Sequence, residues 1–579
     1  MLSGNLLINK MSLHMITHAV MLALLATFLK KYLQLMFQME DLEYSCVKYS
    51  NNQNFETNID DRTLKSFHSF SSCQSSLRRE HQVCHFKNIC YEPNEEEFIY
   101  FYKENDDNLH FNDKKYVPRL SSPFDFNDHH MPLTYLNENV SSQFRIHWIN
   151  KTSYISHRFK SDNIMHVIHD DIIPLHYTMK HFESFKSNIF GKFDVQLLFM
   201  DDWLPGEYQI LYELFTNSPP LYKKDIQKRR ELICFSSAVV GLLVDTLWYN
   251  YGFDHPQGKL KDSVVNADYI KYTSQFILQN LNLDKESESV SDYIVLISRR
   301  ENRKILNEND LVNIIIQEVS MKLLIVGSET HSLTEMISLI SKSRGIVGMH
   351  GSLLILSMFL KPGSFLIELF PYAVPAYQYT PYQILADLDG MHIIYKSWEN
   401  MNPNSTVGHP DYPPEHGGIK HLSVEKQEEI LKQTIVPKHL CCEDPSWLYH
   451  IYQDTFADVH TLSNLIKKAI SERAFCKGNF KHVETPSAVK TFECKMKKGD
   501  KCMLHIHWDK PWNVQYVTIT KLHYELLIED IDTEDSMLYV IDETNLSIAV
   551  DCDKNYMVWA RCVMNQFSYG SYINTECLK

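Results

Sequence analysis

Between residues 290 and 400, short apolar runs alternate with helix-length amphipathic stretches, and this rhythm constrains the fold more than any other feature of the chain. Tyr293–Ser298 (YIVLIS), Lys322–Val326 (KLLIV), Gly345–Met349 (GIVGM) and Phe365–Phe370 (FLIELF) show almost no polar alternation. Strands of that composition are buried on both faces, which predicts a parallel sheet. Asn309–Met321, Leu333–Ser341 and Ser352–Leu360 supply the helices that parallel connections need. Residues 290–400 are therefore expected to form one Rossmann-like half. Two earlier runs, Phe193–Met200 (FDVQLLFM) and Leu232–Val240 (LICFSSAVV), predict buried strands of a second such half upstream.

A chain of 579 residues exceeds a single core. The net charge of −15 and the lack of any Lys/Arg block exclude nucleic acid as a partner. Residues 11–29 contain no Asp, Glu, Lys or Arg, and Thr27-Phe-Leu-Lys-Lys31 offers no small-x-small cleavage site. This predicts a transmembrane signal-anchor over 11–31, after a cytoplasmic tail at 1–10. Lys30 and Lys31 alone would leave the bulk of the chain cytosolic. The sequons at Asn139, Asn150, Asn404 and Asn545, with thirteen cysteines, favour an oxidising lumen and a type II orientation. The odd cysteine count leaves at least one thiol free.

Residues 32–83 are polar and Asn/Ser-rich and read as a stem; a catalytic region is expected over 84–480. At 485–579 the texture changes to short β-rich runs: Leu504–Trp508, Tyr516–Leu522 and Tyr556–Cys562. These predict a fibronectin type III-like sandwich with Trp508 buried and Tyr556 as its tyrosine corner.

Open parallel sheets bind ligands beyond the carboxyl ends of their strands. Those ends carry Ser298-Arg-Arg-Glu-Asn-Arg303, Gly327-Ser-Glu329, His350-Gly351-Ser352 and Glu368. Gly351 and Ser352 open a helix directly after a strand, so free amides and the positive dipole end face outward beside Arg299 and Arg303. Two guanidinium forks and a helix start suit a pyrophosphate. No P-loop and no G-x-G-x-x-G occurs, which argues against an NTPase or a Rossmann dehydrogenase. The two D-x-D patterns, Asp387-Leu-Asp389 and Asp530-Ile-Asp532, fall in an apparent turn and in the terminal β region, so no metal is expected. Leaving-group charge is then met by arginine and helix dipole.

The stretch Asn163-Ile-Met-His-Val-Ile-His-Asp-Asp171 is the densest cluster of titratable groups. On a regular helix Asn163, His166 and Asp170 share one face, while His169 points elsewhere. Zinc would need a third ligand, and no H-E-x-x-H or C-x2-C partner exists. Asp162 or Asn163 could serve simply as an N-cap. A histidine with a carboxylate one turn on is also a suitable pair for deprotonating a hydroxyl nucleophile.

Asn163-x2-His166-x3-Asp170 after Arg158-Phe159, Ser298-Arg299-x2-Asn302-Arg303-x-Ile305-Leu-Asn-Glu308, and Met349-His-Gly-Ser352 together resemble glycosyltransferase family 61. The resemblance runs on through Cys84–Cys90, Trp248–Gly258, Glu368–Ala373, Gly417–Leu422, His439–Cys442, Ile451–Thr455 and Trp508–Trp512. It implies an α/β, GT-B-like pair of Rossmann-like domains with a C-terminal fibronectin module, anchored in the endoplasmic reticulum membrane. It implies an inverting transfer of GlcNAc from UDP-GlcNAc, without cofactor, to the 4-hydroxyl of O-linked mannose on dystroglycan-type glycoproteins. By the same resemblance Arg299, Arg303, His350, Gly351, Ser352 and Glu368 would bind the UDP-sugar. Asn163, His166 and Asp170 would line the transfer site, with His166 aided by Asp170 taking the proton and Arg158 in support. A homodimer stays open. The alternatives are an EGF-domain-type O-GlcNAc transferase of the same family and a non-catalytic lumenal glycan-binding protein. The former implies a KDEL-like ending, and this chain ends Glu576-Cys-Leu-Lys579.

Overall fold

The computed structural model describes residues 67–577. Outside the description lie 76–81, 104–116, 124–126, 183–190, 254–256, 284–292, 477–485, 515–520, 565–567 and a few single or paired positions. The first half departs from the expected parallel sheet. Its strands are β1 (Phe70–Ser75), β2 (Gln82–Lys87), β3 (Ile89–Glu92), β4 (Glu97–Tyr102), β5 (Leu133–Asn137), β6 (Ile146–Ile149) and β7 (Ser153–Ser156). They continue with β8 (Gln196–Phe199), β9 (Leu221–Tyr222), β10 (Leu232–Phe235) and β11 (Ala238–Val240). One sheet runs β1-β2-β11-β7-β8-β9 and the other β5-β4-β3-β10-β6. Both are mixed: β2 is antiparallel to β1 and β11, and β3 to β4 and β10. β1 lies inside the segment read as a stem.

Disulfides mark the antiparallel contacts. Cys73 faces Cys84 across β1 and β2, Cys90 faces Cys234 across β3 and β10, and both pairs are bonded. The nine-residue run expected as one strand breaks at Ser236-Ser237. Its two pieces enter different sheets, β10 beside β6 and β11 beside β7. A uniformly apolar run has no period, so nothing in it announces such a break.

The second half matches its apolar runs closely. After a short hairpin, β12 (Tyr249–Asn250) and β13 (Gly258–Lys259), come β14 (Tyr293–Ile297), β15 (Lys322–Val326), β16 (Gly345–Met349), β17 (Phe365–Phe370) and β18 (Ile394–Glu399). They form one all-parallel sheet in the order β15-β14-β16-β17-β18. Successive side chains face opposite ways. Val295, Ile297 and Ile346 join a core that also contains Ile164, Ile168, Ile270 and Phe276 from the elements before them. Ile294, Leu296 and Val347 pack instead with Leu311 and Ile315 of the helix Glu308–Val319, and with Leu462 and Ile466 of the helix Val459–Cys476. The strand order reverses between β14 and β16, and at such a switch point a crevice opens beyond the carboxyl ends.

Apart from a small pair, Thr406–Val407 with Asp454–Thr455, the later strands form an antiparallel sandwich. Lys490–Lys497, Cys502–Asp509 and Asn545–Val550 face Leu522–Asp530, Ser536–Ile541, Tyr556–Met564 and Ile573–Cys577 across a core holding Trp508, Tyr524 and Val558. Asp551 donates its backbone N–H to the Tyr556 hydroxyl. Disulfides join Cys494 to Cys577 and Cys502 to Cys552, and the neighbours Cys441 and Cys442 are also bonded. Part of the expected strand at 516–522 falls outside the described residues.

The expected fold class therefore needs correction. The chain is a mixed α/β assembly of many sheets, of which one of the large ones is all-parallel, and not a pair of Rossmann-like halves. Among the described residues no helix is long and apolar enough to cross a membrane, so the expected transmembrane helix is not found; the span 11–31 on which it rested lies outside them. The sequon residues Asn139, Asn150, Asn404 and Asn545 are all exposed.

Candidate active site

One half of the site is a helix shaped by a proline. Asn163 is its N-cap: its side chain accepts from Met165 N–H and its carbonyl from Val167 N–H. Helical turns at Ile164–His166 pass into a wider π turn at Val167–Ile172 and return to α-helix at Ile173–Phe182. Pro174 explains the widening. It has no N–H for the carbonyl of Asp170 four residues back, and its ring crowds that carbonyl. The Ser122 hydroxyl takes the vacant place, 2.5 Å from Asp170 O.

The wide turn corrects the regular-helix projection, which pointed His169 away from Asp170. Both histidines reach that carboxylate: His166 Nδ1 lies 2.7 Å from Oδ2, and His169 Nδ1 2.6 Å from Oδ1. Burial alone would raise the Asp170 carboxyl, yet His169 and then His166 hold it below the ordinary range. An ionised carboxylate only accepts, so each histidine presents Nδ1–H to it. His169 Nε2 then accepts from Trp248 N–H at 3.3 Å, and the Tyr251 hydroxyl lies 2.9 Å from His169 Nδ1. His169 is fully enclosed (0%), whereas His166 keeps 8% of its surface, so His166 Nε2 is the nitrogen a substrate can reach. The histidine–carboxylate pair expected from sequence is a triad in which His169 steadies the carboxylate.

Asp171 serves the frame. It accepts from Phe159 N–H at 3.0 Å and from the Tyr212 hydroxyl at 2.6 Å, and burial pushes its carboxyl well up. Arg158 is likewise internal. It pairs with Asp201 at 2.6 Å, bonds the carbonyls of Trp203 and Leu204, and lies over the Phe199 and Tyr222 rings. Arg158 supports the motif from behind and contributes nothing to a ligand surface.

The other half sits at the switch point of the parallel sheet. Arg299 bonds Asn302 through its main-chain and side-chain oxygens, and Arg303 donates to the carbonyl of His350 at 2.9 Å. Both guanidinium groups converge on Gly351: a Cβ there would lie 2.9 Å from Arg299 Nη1 and 3.0 Å from Arg303 Nη1. Among the described residues neither arginine forms an ion pair. Burial and then the facing Arg299 lower the Arg303 guanidinium, and the attraction of an arriving anion would oppose that shift. Ser352 opens the tight helix Ser352–Phe359, whose first amides have no partner within the helix.

His350 Nδ1 lies 2.6 Å from Glu368 Oε1, and Tyr395 donates to Glu368 Oε2 at 2.7 Å. Glu368 was expected to touch the UDP-sugar, but it is fully buried behind His350 and orients that ring. Asp387 lies at the C-terminus of the helix Pro381–Ala386, the Asp389 carbonyl accepts from Ala267 N–H, and Asp530 pairs with Lys554. Asp532 lies outside the described residues.

The two halves meet. Ile164 and Met165 pack into the same core as Leu353–Leu356, so the helix carrying His166 rests on the one opened by Ser352. Tyr382 lies close to Arg303, Arg299 and Glu368, and its ring is 5.9 Å from that of His350. Tyr452 stacks under Arg303 at 5.1 Å. Sequence reasoning assigned no role to Trp248, Tyr251, Tyr382 or Tyr452. The one available signal was Pro174, four residues after Asp170. A histidine–carboxylate pair thus lies on a helix packed against the one that begins beside Arg299 and Arg303.

A family model described as Glycosyltransferase 61 matches residues 164–367, the span that holds both halves of this site. The chain is also similar to curated relatives named Protein O-linked-mannose beta-1,4-N-acetylglucosaminyltransferase 2. The protein of Xenopus tropicalis is 33% identical over 504 residues, covering 85% of this chain and 86% of the relative. That of Homo sapiens is 33% identical over 505 residues with the same coverage, and that of Takifugu rubripes 33% over 513. On this similarity over most of its length, the chain belongs to the glycosyltransferase 61 family.

Proposed function

We propose that the chain transfers GlcNAc from UDP-GlcNAc to the 4-hydroxyl of O-linked mannose on a glycoprotein, with inversion at the sugar carbon. The observation that supports this reading is the packing of the His166 helix on the helix that begins at Ser352, whose start Arg299 and Arg303 flank. His166 Nε2 accepts the mannose proton, and Asp170 shares the resulting charge through Nδ1–H. Arg299, Arg303 and the first amides of the Ser352 helix receive the charge that develops on the departing UDP. His350, steadied by Glu368, lies beside them and completes the recess. The acceptor specificity follows the names of the relatives. The five disulfides among the described residues support work in an oxidising lumen such as that of the endoplasmic reticulum.

Product analysis tests the reading. Incubation with UDP-GlcNAc and an O-mannosyl peptide yields a β1,4-linked GlcNAc–mannose product, and UDP-galactose in its place yields none. Transfer to an unmannosylated peptide, or the absence of any product, would contradict it.

A further inference from the structure

Around His166 the chain places three aromatic rings that proton transfer does not itself require. Phe159 stands edge-on to the His166 ring with centroids 5.1 Å apart, and Tyr251 tilts against it at 4.5 Å. Phe253 touches both, 5.8 Å from Phe159 and 6.1 Å from Tyr251. The exposed Lys160 brings its ammonium to 6.0 Å from the rings of Phe159 and Phe253 alike, which marks the solvent edge of the group.

Two of the three rings have evident duties. Phe159 is buried and ties its backbone to Asp171, and Tyr251 serves the His169–Asp170 pair. Phe253 has no such duty. Its ring packs on those of Phe159 and Tyr251, which both touch the His166 ring, lies near the Lys160 ammonium, and is only half-buried. A partly exposed aromatic ring in the cluster around His166 is a surface on which something apolar can rest.

A pyranose presents a polar rim of hydroxyls and an apolar face of C–H bonds. Hydrogen bonds to the rim fix its rotation, but a flat ring beneath fixes its height and tilt, which decide whether one hydroxyl meets the base. We infer that Phe253, backed by Phe159 and Tyr251, is the platform for the acceptor sugar: the C–H face of mannose stacks on it and O4 is thereby delivered to His166. This rests on the proposed transfer to O-linked mannose and adds the residue that positions the acceptor.

Steady-state transfer from UDP-GlcNAc to an O-mannosyl peptide, with calorimetry of UDP binding alongside, tests it. Phe253→Ala is expected to raise the peptide KM roughly tenfold or more while leaving the UDP Kd unchanged. Phe253→Tyr, which keeps a ring face, is expected to retain a KM near that of the unaltered protein. Phe253→Leu keeps apolar bulk without the face, and its KM is expected to stay high. A peptide KM within about twofold of normal in Phe253→Ala overturns the platform. So does full recovery in Phe253→Leu, or loss of UDP binding in Phe253→Ala, because the ring would then serve as bulk or as part of the fold. If the unaltered protein leaves the O-mannosyl peptide unmodified, the parent reading fails and takes the platform with it. Normal transfer with an indifferent Phe253 removes the platform alone.

Discussion

Asp170 illustrates how one side chain acquires a role from its surroundings. A buried carboxylate is costly unless its oxygens are occupied, and here each oxygen takes one histidine N–H. His169 is fixed in turn by Trp248, which leaves His166 as the partner free to face a substrate. In the opposite recess Gly351 decides how closely two guanidinium groups approach. The prediction at this scale concerns that closeness. Gly351→Ala pushes both arginine tips aside, because its methyl would fall within 2.9 Å of Arg299 and 3.0 Å of Arg303. UDP binding, measured by calorimetry, should weaken about tenfold with the fold intact. An unchanged Kd would remove the arginine pair from the nucleotide grip.

At the scale of the element, the helix after Asn163 owes its geometry to Pro174. Restoring an N–H at that position lets Asp170 O bond within the helix and releases Ser122. Pro174→Ala should therefore tighten the wide turn and swing His169 off Asp170. We expect kcat to fall roughly tenfold or more while the melting temperature does not drop; a variant with normal kcat would show that the turn is incidental. The same helix marks how far the sequence could be read. Asn163, His166 and Asp170 were legible because they obey a regular period, and His169 was not, because the wide turn before Pro174 departs from that period. Strands β16 and β17 were legible to the residue, since parallel strands buried on both faces are uniform apolar runs; the edge strand β15 was equally legible although Lys322 and Ile325 are exposed. The same uniformity hid the break at Ser236-Ser237, where the run changes sheets. Glu368 was expected at a strand end, but it lies inside β17, paired on both sides, with the Tyr395 hydroxyl of the neighbouring strand bonded to it behind His350.

Across the whole molecule, one core joins the first half to the parallel sheet, and this keeps the two halves of the site together. Such sharing of a core has no sequence signature, which is why two separate Rossmann-like units were expected. Cross-links act at the same scale: Cys90–Cys234 ties residues 144 apart in sequence. Cys562 is the free thiol among the described residues, and burial pushes it up to about 12. A thiolate is the reactive form, so native protein treated with a maleimide should carry no label on the Cys562 peptide until it is unfolded. Labelling of the folded protein at that peptide, seen by mass spectrometry, would contradict the packing of the terminal sandwich. Whether His166 is the base is tested most directly by the turnover of His166→Ala. With UDP-GlcNAc and an O-mannosyl peptide, kcat should fall by roughly 10²- to 10⁴-fold while UDP binds as before. A kcat close to that of the unaltered protein would show that His166 is not the base.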